Sequence, residues 1–297
     1  MTDKFITFKD VRFTYPPFEH EVDKDGNQII NKPVFDHFTA TLPGKFTILV
    51  GPNGSGKSTF LLLAAGRVSP DTGTVRLFNK DIAFMEEQER NLTASFIYQN
   101  MEFETQETTE ILLQKIFKSG GWQNSGGARD ALLASNKQIQ IPNKDFIDNC
   151  IDIFELSNIL NRPLNQLSKG EMQRTLLAFS LLYGCKSIFL DEPLFALEPK
   201  QKEIIISYLR DYSRKYDIPL YISMQELSLT KKYADAVLLF KPNRNISFGT
   251  PKEVLTKDEI ETAYGVPEAM LKDAEDANNK NKLEESAVIA DFNKRIS

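Results

Sequence analysis

Cysteine is scarce: Cys150 and Cys185 are the only two in 297 residues, too few for a disulfide framework. No stretch of about 18 apolar residues occurs, so no segment is built to cross a bilayer as a helix. Basic residues are not in excess, with 36 Lys and Arg against 41 Asp and Glu and a formal charge of −5. Without that excess there is little to displace counterions from a phosphate backbone, and no nucleic-acid partner is expected. The first residues set Asp3, Lys4 and Lys9 among Phe5, Ile6 and Phe8 and lack the apolar centre of a secretory signal. Together these absences predict a protein of the reducing cytosol. What is present is ordinary for a globular chain: 41% hydrophobic and 26% charged residues, with length enough for one large or two modest domains.

Residues 5 to 15 alternate apolar and polar with period two and stop at Pro16 and Pro17, which predicts a strand. Asp25 and Gly26 mark a hairpin tip in the polar stretch that follows. Phe46 to Val50 is a short apolar run with β-branched members, the pattern of a buried strand. It runs into a glycine-rich loop, after which residues 59 to 65 read as a helix closed by Gly66. Residues 106 to 117 and 144 to 156 have helical spacing. The loop 119–127 between them holds four glycines, which predicts a loosened backbone and a half-buried Trp122. The pattern then resumes with a helix over 170–183, a strand over 187–190, a helix over 200–215 and strands over 220–223 and 236–240. Such alternation predicts a mainly parallel sheet with right-handed crossovers. After Gly265 the chain turns polar, a weakly ordered tail with a short helix over 283–294.

Three motifs carry chemistry. Gly51, Pro52, Asn53, Gly54, Ser55, Gly56, Lys57, Ser58 and Thr59 match the pattern G-x-x-x-x-G-K-[ST] in full. Glycines let successive backbone N–H groups turn toward one phosphate, and the helix behind points its positive end at the same anion. Lys57 is placed to reach the β- and γ-phosphates and the Ser58 hydroxyl to sit on Mg²⁺. Chance alone gives such a pattern in roughly one chain of this length in a hundred, and the flanking strand and helix make chance rarer still. Downstream, an apolar strand from Ser187 ends in Asp191, Glu192 and Pro193. That puts Asp191 at the carboxyl edge of the sheet as an Mg²⁺ ligand and Glu192 beside it to orient or deprotonate a water. Between the two lies Leu167, Ser168, Lys169, Gly170, Glu171, where Ser168 caps a helix and Glu171 completes a capping box.

This order of motifs resembles the ATP-binding subunit of ABC transporters, and the resemblance runs from residue 5 to about residue 265. It implies an α/β fold: a P-loop NTPase core of ABC ATPase type with an antiparallel β subdomain and an inserted helical subdomain. The boundaries expected are 1–98 for the N-terminal β portion and P-loop core and 99–165 for the helical subdomain. Residues 166–265 follow as the signature helix and rest of the core, and 266–297 as a polar tail. The family stacks an aromatic on adenine, here Tyr15. Its glutamine loop, here Gln99, touches Mg²⁺ or the attacking water. Its signature, usually Leu-Ser-Gly-Gly-Gln, is matched by Ser168 and Gly170 and departed from at Lys169 and Glu171. Phe195 to Glu198 stand in for the loop that crosses the dimer interface.

Members work as head-to-tail dimers of identical or homologous subunits, closing ATP between the P-loop of one and the signature of the other. The absence of a membrane span implies a separate integral-membrane permease, with this chain peripheral on the cytoplasmic face of the inner membrane. The stretch from Phe248 to Val266 is similar to the close of ATPases serving iron-chelate, haem and cobalamin importers. One position departs from the family: Gln225 stands where a switch histidine follows the strand, and neither His20 nor His37, both ahead of the P-loop, is placed to replace it. The expectation is an ATPase powering an importer, with Glu192, Gln99 and Gln225 in the catalytic set and slowed hydrolysis from Gln225. The alternatives are a non-catalytic or regulatory half of a heterodimer, or a soluble non-transport ATPase of the same family.

Overall fold

A computed structural model describes residues 5–17, 31–98, 101, 103–135, 138–242 and 244–277. The hairpin expected near Asp25, Gln99 of the glutamine loop and the helix expected over 283–294 lie outside them.

Two sheets enclose a common helix. The smaller is antiparallel, with strand order β2-β1-β4-β5 over β1 (Phe5–Phe13), β2 (Phe35–Pro43), β4 (Thr72–Leu77) and β5 (Lys80–Asp81). The larger has order β10-β9-β3-β8-β7-β6. Its members are β3 (Phe46–Val50), β6 (Ala94–Ile97), β7 (Ser187–Asp191), β8 (Leu220–Ser223), β9 (Ala236–Phe240) and β10 (Ile246–Gly249). The pairings from β9 to β6 are parallel and β10 closes the edge antiparallel. β3, β7, β8 and β9 are buried at every position, which is why they read as unbroken apolar runs rather than alternating ones. β4 and β5 are not evident in the sequence: β4 opens on Thr72, Gly73 and Thr74 and is held chiefly by its register with β1, Ile6 opposite Leu77.

The first helix, α1 (Lys57–Ala64), lies between the sheets. Phe60 meets Phe8 of the small sheet at 4.8 Å and Phe240 of the large one at 5.7 Å between ring centres. The remaining helices are α2 (Glu87–Thr93), α3 (Thr109–Ser119), α4 (Ala128–Ala134), α5 (Asp145–Ile153), α6 (Lys169–Tyr183), α7 (Pro199–Tyr216), α8 (Leu227–Tyr233), α9 (Pro251–Val254) and α10 (Lys257–Tyr264). α3, α4 and α5 fall between β6 and β7 in the chain, and α3 and α5 pack on α6.

The glycine loop behaves differently from expectation. Trp122 is 1% exposed, its ring 5.0 Å from Tyr216, and its Nε1–H donates to the Leu181 carbonyl at 2.9 Å. The glycines around it permit close backbone crossing rather than looseness. A Cβ on Gly121 would lie 2.5 Å from the Gly184 oxygen, and one on Gly184 would lie 2.6 Å from the Trp122 ring. Local composition reads the glycines as slack because their partner, residue 184, is distant in sequence.

The start of the tail is also ordered. Residues 268–277 are helical and fastened to α8, with Lys231 on Glu268 at 2.7 Å and the Ser228 hydroxyl on Glu275. Both cysteines are free and buried, and burial pushes the Cys185 thiol up to about 12. Among the described residues no helix is long and apolar enough to cross a membrane.

Candidate functional site

The carboxyl ends of β3, β8 and β7 are neighbours in the large sheet, and the chain leaves each of them into a motif. After β3 the backbone takes positive φ at Gly51, Gly54 and Gly56. Gly51 requires its glycine twice over: φ is +143°, and a Cβ there would stand 2.4 Å from the Phe240 oxygen. Gly56 caps α1 in the left-handed region with no side-chain acceptor. The first turn of α1 therefore directs N–H groups without intrahelical acceptors into the loop it closes. Among the described residues the Ser55 hydroxyl is buried there without a hydrogen-bond partner. A buried, unpaired donor in a ring of backbone N–H groups fits an anionic oxygen ligand.

Lys57 is buried and its Nζ donates to the Gly51 and Pro52 carbonyls at 2.7 and 3.0 Å. Burial lowers its pKa from the ordinary value, opposed by the carboxylates of Glu192 and Asp191. Ser58, next on the helix, is exposed. Thr59 is buried and shares a 3.1 Å hydrogen bond with the Tyr15 hydroxyl, so the exposed Tyr15 is tied to the loop, its ring edge-on to Phe13.

β7 ends in the acids. Asp191 pairs in register with Ser223 of β8, whose hydroxyl donates to Asp191 Oδ1 at 2.5 Å. The same hydroxyl accepts from the Glu192 N–H at 2.9 Å. Glu192 has φ of +47°, an uncommon conformation for a non-glycine residue and one that Ser223 holds in place. Gln225 follows β8 directly, and its Nε2 donates to Glu192 Oε1 at 3.0 Å and reaches Asn53 Oδ1 at 3.4 Å. Asn53, Lys57, Asp191, Glu192 and Gln225 thus converge on one corner of the sheet. Ser223 is the residue that sequence reading missed. Its signal is its position at the end of a buried strand two residues before Gln225.

The signature segment forms the N-terminus of α6. Ser168 caps it, accepting from the Glu171 N–H at 3.3 Å while Glu171 Oε2 accepts from the Ser168 N–H at 2.7 Å. Burial opposes the charge on Glu171, but these bonds and Arg162 at 3.0 Å outweigh it and hold the carboxyl below its ordinary value. The Glu171 carboxylate is therefore engaged inside its own helix start. Gly170 packs against the loop after β7, since a Cβ there would meet the Ala196 oxygen at 3.3 Å. Phe195 and Glu198 of that loop are exposed. A Ser168→Ala variant should lower stability by about 1 kcal/mol through loss of the cap, measured by urea unfolding; an unchanged midpoint would mean the cap carries no weight.

An Mg²⁺ ion fits the oxygen donors present. Ser58 and Asp191 supply a hydroxyl and a carboxylate, and among the described residues no group of three or more His, Cys, Asp or Glu forms a protein cage. Magnesium is ordinarily held by one or two carboxylates together with substrate phosphates and water.

Comparison with known proteins places these features in a family. Residues 38–195 match the family model described as ABC transporter. The hemin import ATP-binding protein HmuV of Escherichia coli O157:H7 is 29% identical over 245 residues, covering 80% of this chain and 89% of that protein. The petrobactin import ATP-binding protein FatE of Bacillus anthracis is 28% identical over 210 residues, covering 71% and 78%. Among solved structures, an inward-facing metal-chelate type ABC transporter superposes with a TM-score of 0.60 at 20% identity, covering 88% of this chain and 89% of that one. A dimeric ATP-binding cassette bound to ADP and Pi superposes at 0.61 with 19% identity, covering 83% and 98%.

Proposed function

This chain belongs to the ABC transporter family of ATP-binding proteins, and on that premise we propose that it hydrolyses ATP to drive an importer whose permease is a separate chain. The observation that carries the reading is the convergence at one sheet edge of a phosphate cradle with a buried, unpartnered Ser55 hydroxyl and the Asp191–Glu192 pair held by Ser223. Tyr15 stacks on adenine, and the N–H groups and side chains of Gly51, Asn53, Gly54, Ser55, Gly56, Lys57, Ser58 and Thr59 bind the phosphates. Ser58, Asp191 and Gln99 would hold Mg²⁺, which would supply neutralisation of phosphate charge. Glu192 takes a proton from the water whose oxygen bonds to the γ-phosphorus as the bond to the ADP oxygen breaks. Gln225 fixes the Glu192 carboxylate.

The assembly is a head-to-tail dimer in which the α6 N-terminus of one subunit, with Ser168, Gly170 and Glu171, faces the ATP held by the other. Gly170 against Ala196 couples that surface to the loop after the catalytic acids. ATP binding closes the dimer and phosphate loss reopens it, a two-state element that can move a membrane partner. The chain sits at the cytoplasmic face of the membrane through that permease. The hemin and petrobactin import relatives favour an iron-chelate or haem cargo. The domain limits 1–98, 99–165, 166–265 and 266–297 belong to this reading.

Phosphate release from Mg-ATP by the purified protein, alone and with its permease, tests the proposal. Binding without turnover in both settings would favour the second reading, a regulatory half. Gln225 is the observation behind that reading, because its neutral amide, bonded to Glu192, stands where the family's switch histidine addresses the γ-phosphate.

A further inference from the structure

The cradle has one anchor that no motif contains. The Gly51 N–H donates to the Tyr264 hydroxyl at 3.0 Å, across 213 residues of sequence. On its other side the Gly51 carbonyl accepts from Lys57 Nζ at 2.7 Å. Gly51 is buried and pressed against Phe240, and the two bonds hold the peptides on either side of its Cα.

Tyr264 is the last residue of α10, whose Ile260 and Ala263 are buried in the main core. Beyond Gly265 the helical stretch 268–277 returns across α8. Glu268 accepts from Lys231 at 2.7 Å and also pairs with Lys272, while its N–H donates to Glu261 at 3.2 Å. Glu275 accepts from the Ser228 hydroxyl. α8 begins two residues after Gln225. This one segment therefore grips the root of the phosphate loop at one end and the helix behind Gln225 at the other.

We propose that Tyr264 is a positioning residue of the nucleotide site, its hydroxyl fixing the backbone at Gly51 and through it Lys57, with residues 265–277 as the strap that holds it there. Burial pushes the Tyr264 hydroxyl up to about 12, so it stays protonated through the neutral range and the anchor is insensitive to pH there. The proposal rests on the nucleotide-site reading above and assigns a role to the first part of the tail.

A Tyr264→Phe variant keeps the ring and removes only the hydroxyl. It leaves the buried Gly51 N–H unpaired and the Gly51 carbonyl that accepts from Lys57 Nζ free to tilt. The expected result is a loss of about fivefold in Mg-ATP affinity by calorimetry. Amide exchange over residues 51–57 should speed up at the same time. A residue serving only the scaffold would lower the urea midpoint and leave the affinity of the folded protein intact, and that result would overturn the proposal, as would unchanged exchange in the loop. Failure of the wild type to bind Mg-ATP at all would remove the nucleotide-site reading and this proposal with it. Equal binding by both proteins would remove this proposal alone.

Discussion

A Glu192→Gln variant is expected to lose ATP turnover by about 10²- to 10⁴-fold, the usual contribution of a positioned general base. The amide has nearly the same shape as the carboxylate, so the loss isolates proton transfer from packing. The backbone anchor of the position stays: the Glu192 N–H still meets the Ser223 hydroxyl and carbonyl, at 2.9 and 3.2 Å. Asp191 keeps its own bond to Ser223. Affinity for Mg-ATP should therefore hold or rise, since one negative charge beside the phosphates is gone. With hydrolysis removed, ATP should trap the closed dimer, visible as a shift to twice the mass in size-exclusion chromatography. Phosphate release at the wild-type rate would remove Glu192 from the chemistry. A parallel collapse of binding would instead make it a structural support of the loop.

The parts of this site that are legible in sequence are those whose chemistry is local. The loop from Gly51 to Thr59 announces itself because its glycines, lysine and hydroxyls form one short contiguous pattern, and β3 ahead of it is an unbroken apolar run buried on both faces. The acids after β7 and the capping box at Ser168 are readable for the same reason: a strand end and a helix start each have short rules. What escapes is made by contacts between distant residues. Ser223 matters because β8 lies between β3 and β7, an order that periodicity does not encode. Trp122 reads as a loop aromatic until Gly184 and Tyr216 are brought to it, and its glycines read as slack until their backbone crossings are seen. β4 is weakly patterned because β1 supplies its partner bonds. Tyr264 is the extreme case, a lone aromatic at the end of a short helix whose partner is the first glycine of the loop.

The second large expectation concerns Gln225. Its Nε2 spends its donors on Glu192 at 3.0 Å and Asn53 at 3.4 Å, linking Glu192 to the glycine-rich loop as a neutral group. An amide holds geometry but brings no positive charge to the phosphate oxygens, where charge accumulates during transfer. A Gln225→His variant should supply that charge and raise kcat about tenfold, less than the full worth of a built-in donor because Asn53 and Glu192 are arranged to meet an amide. The sign of its pH dependence follows from the imidazole. The active form is the cation, so the gain is complete below the pKa and fades as pH rises through it. The wild type has no such limb from a described histidine, because His37 is exposed on β2 and paired with Asp10 at 2.7 Å, away from the site. Steady-state turnover of both proteins between pH 5.5 and about 8.5, the span in which histidine titrates, decides the matter. A gain that is flat with pH would mean the histidine acts through shape alone. No gain at any pH would show that the amide already suffices and that Gln225 does not slow the enzyme. A silent wild type awakened by the substitution would identify this chain as the regulatory half of its pair.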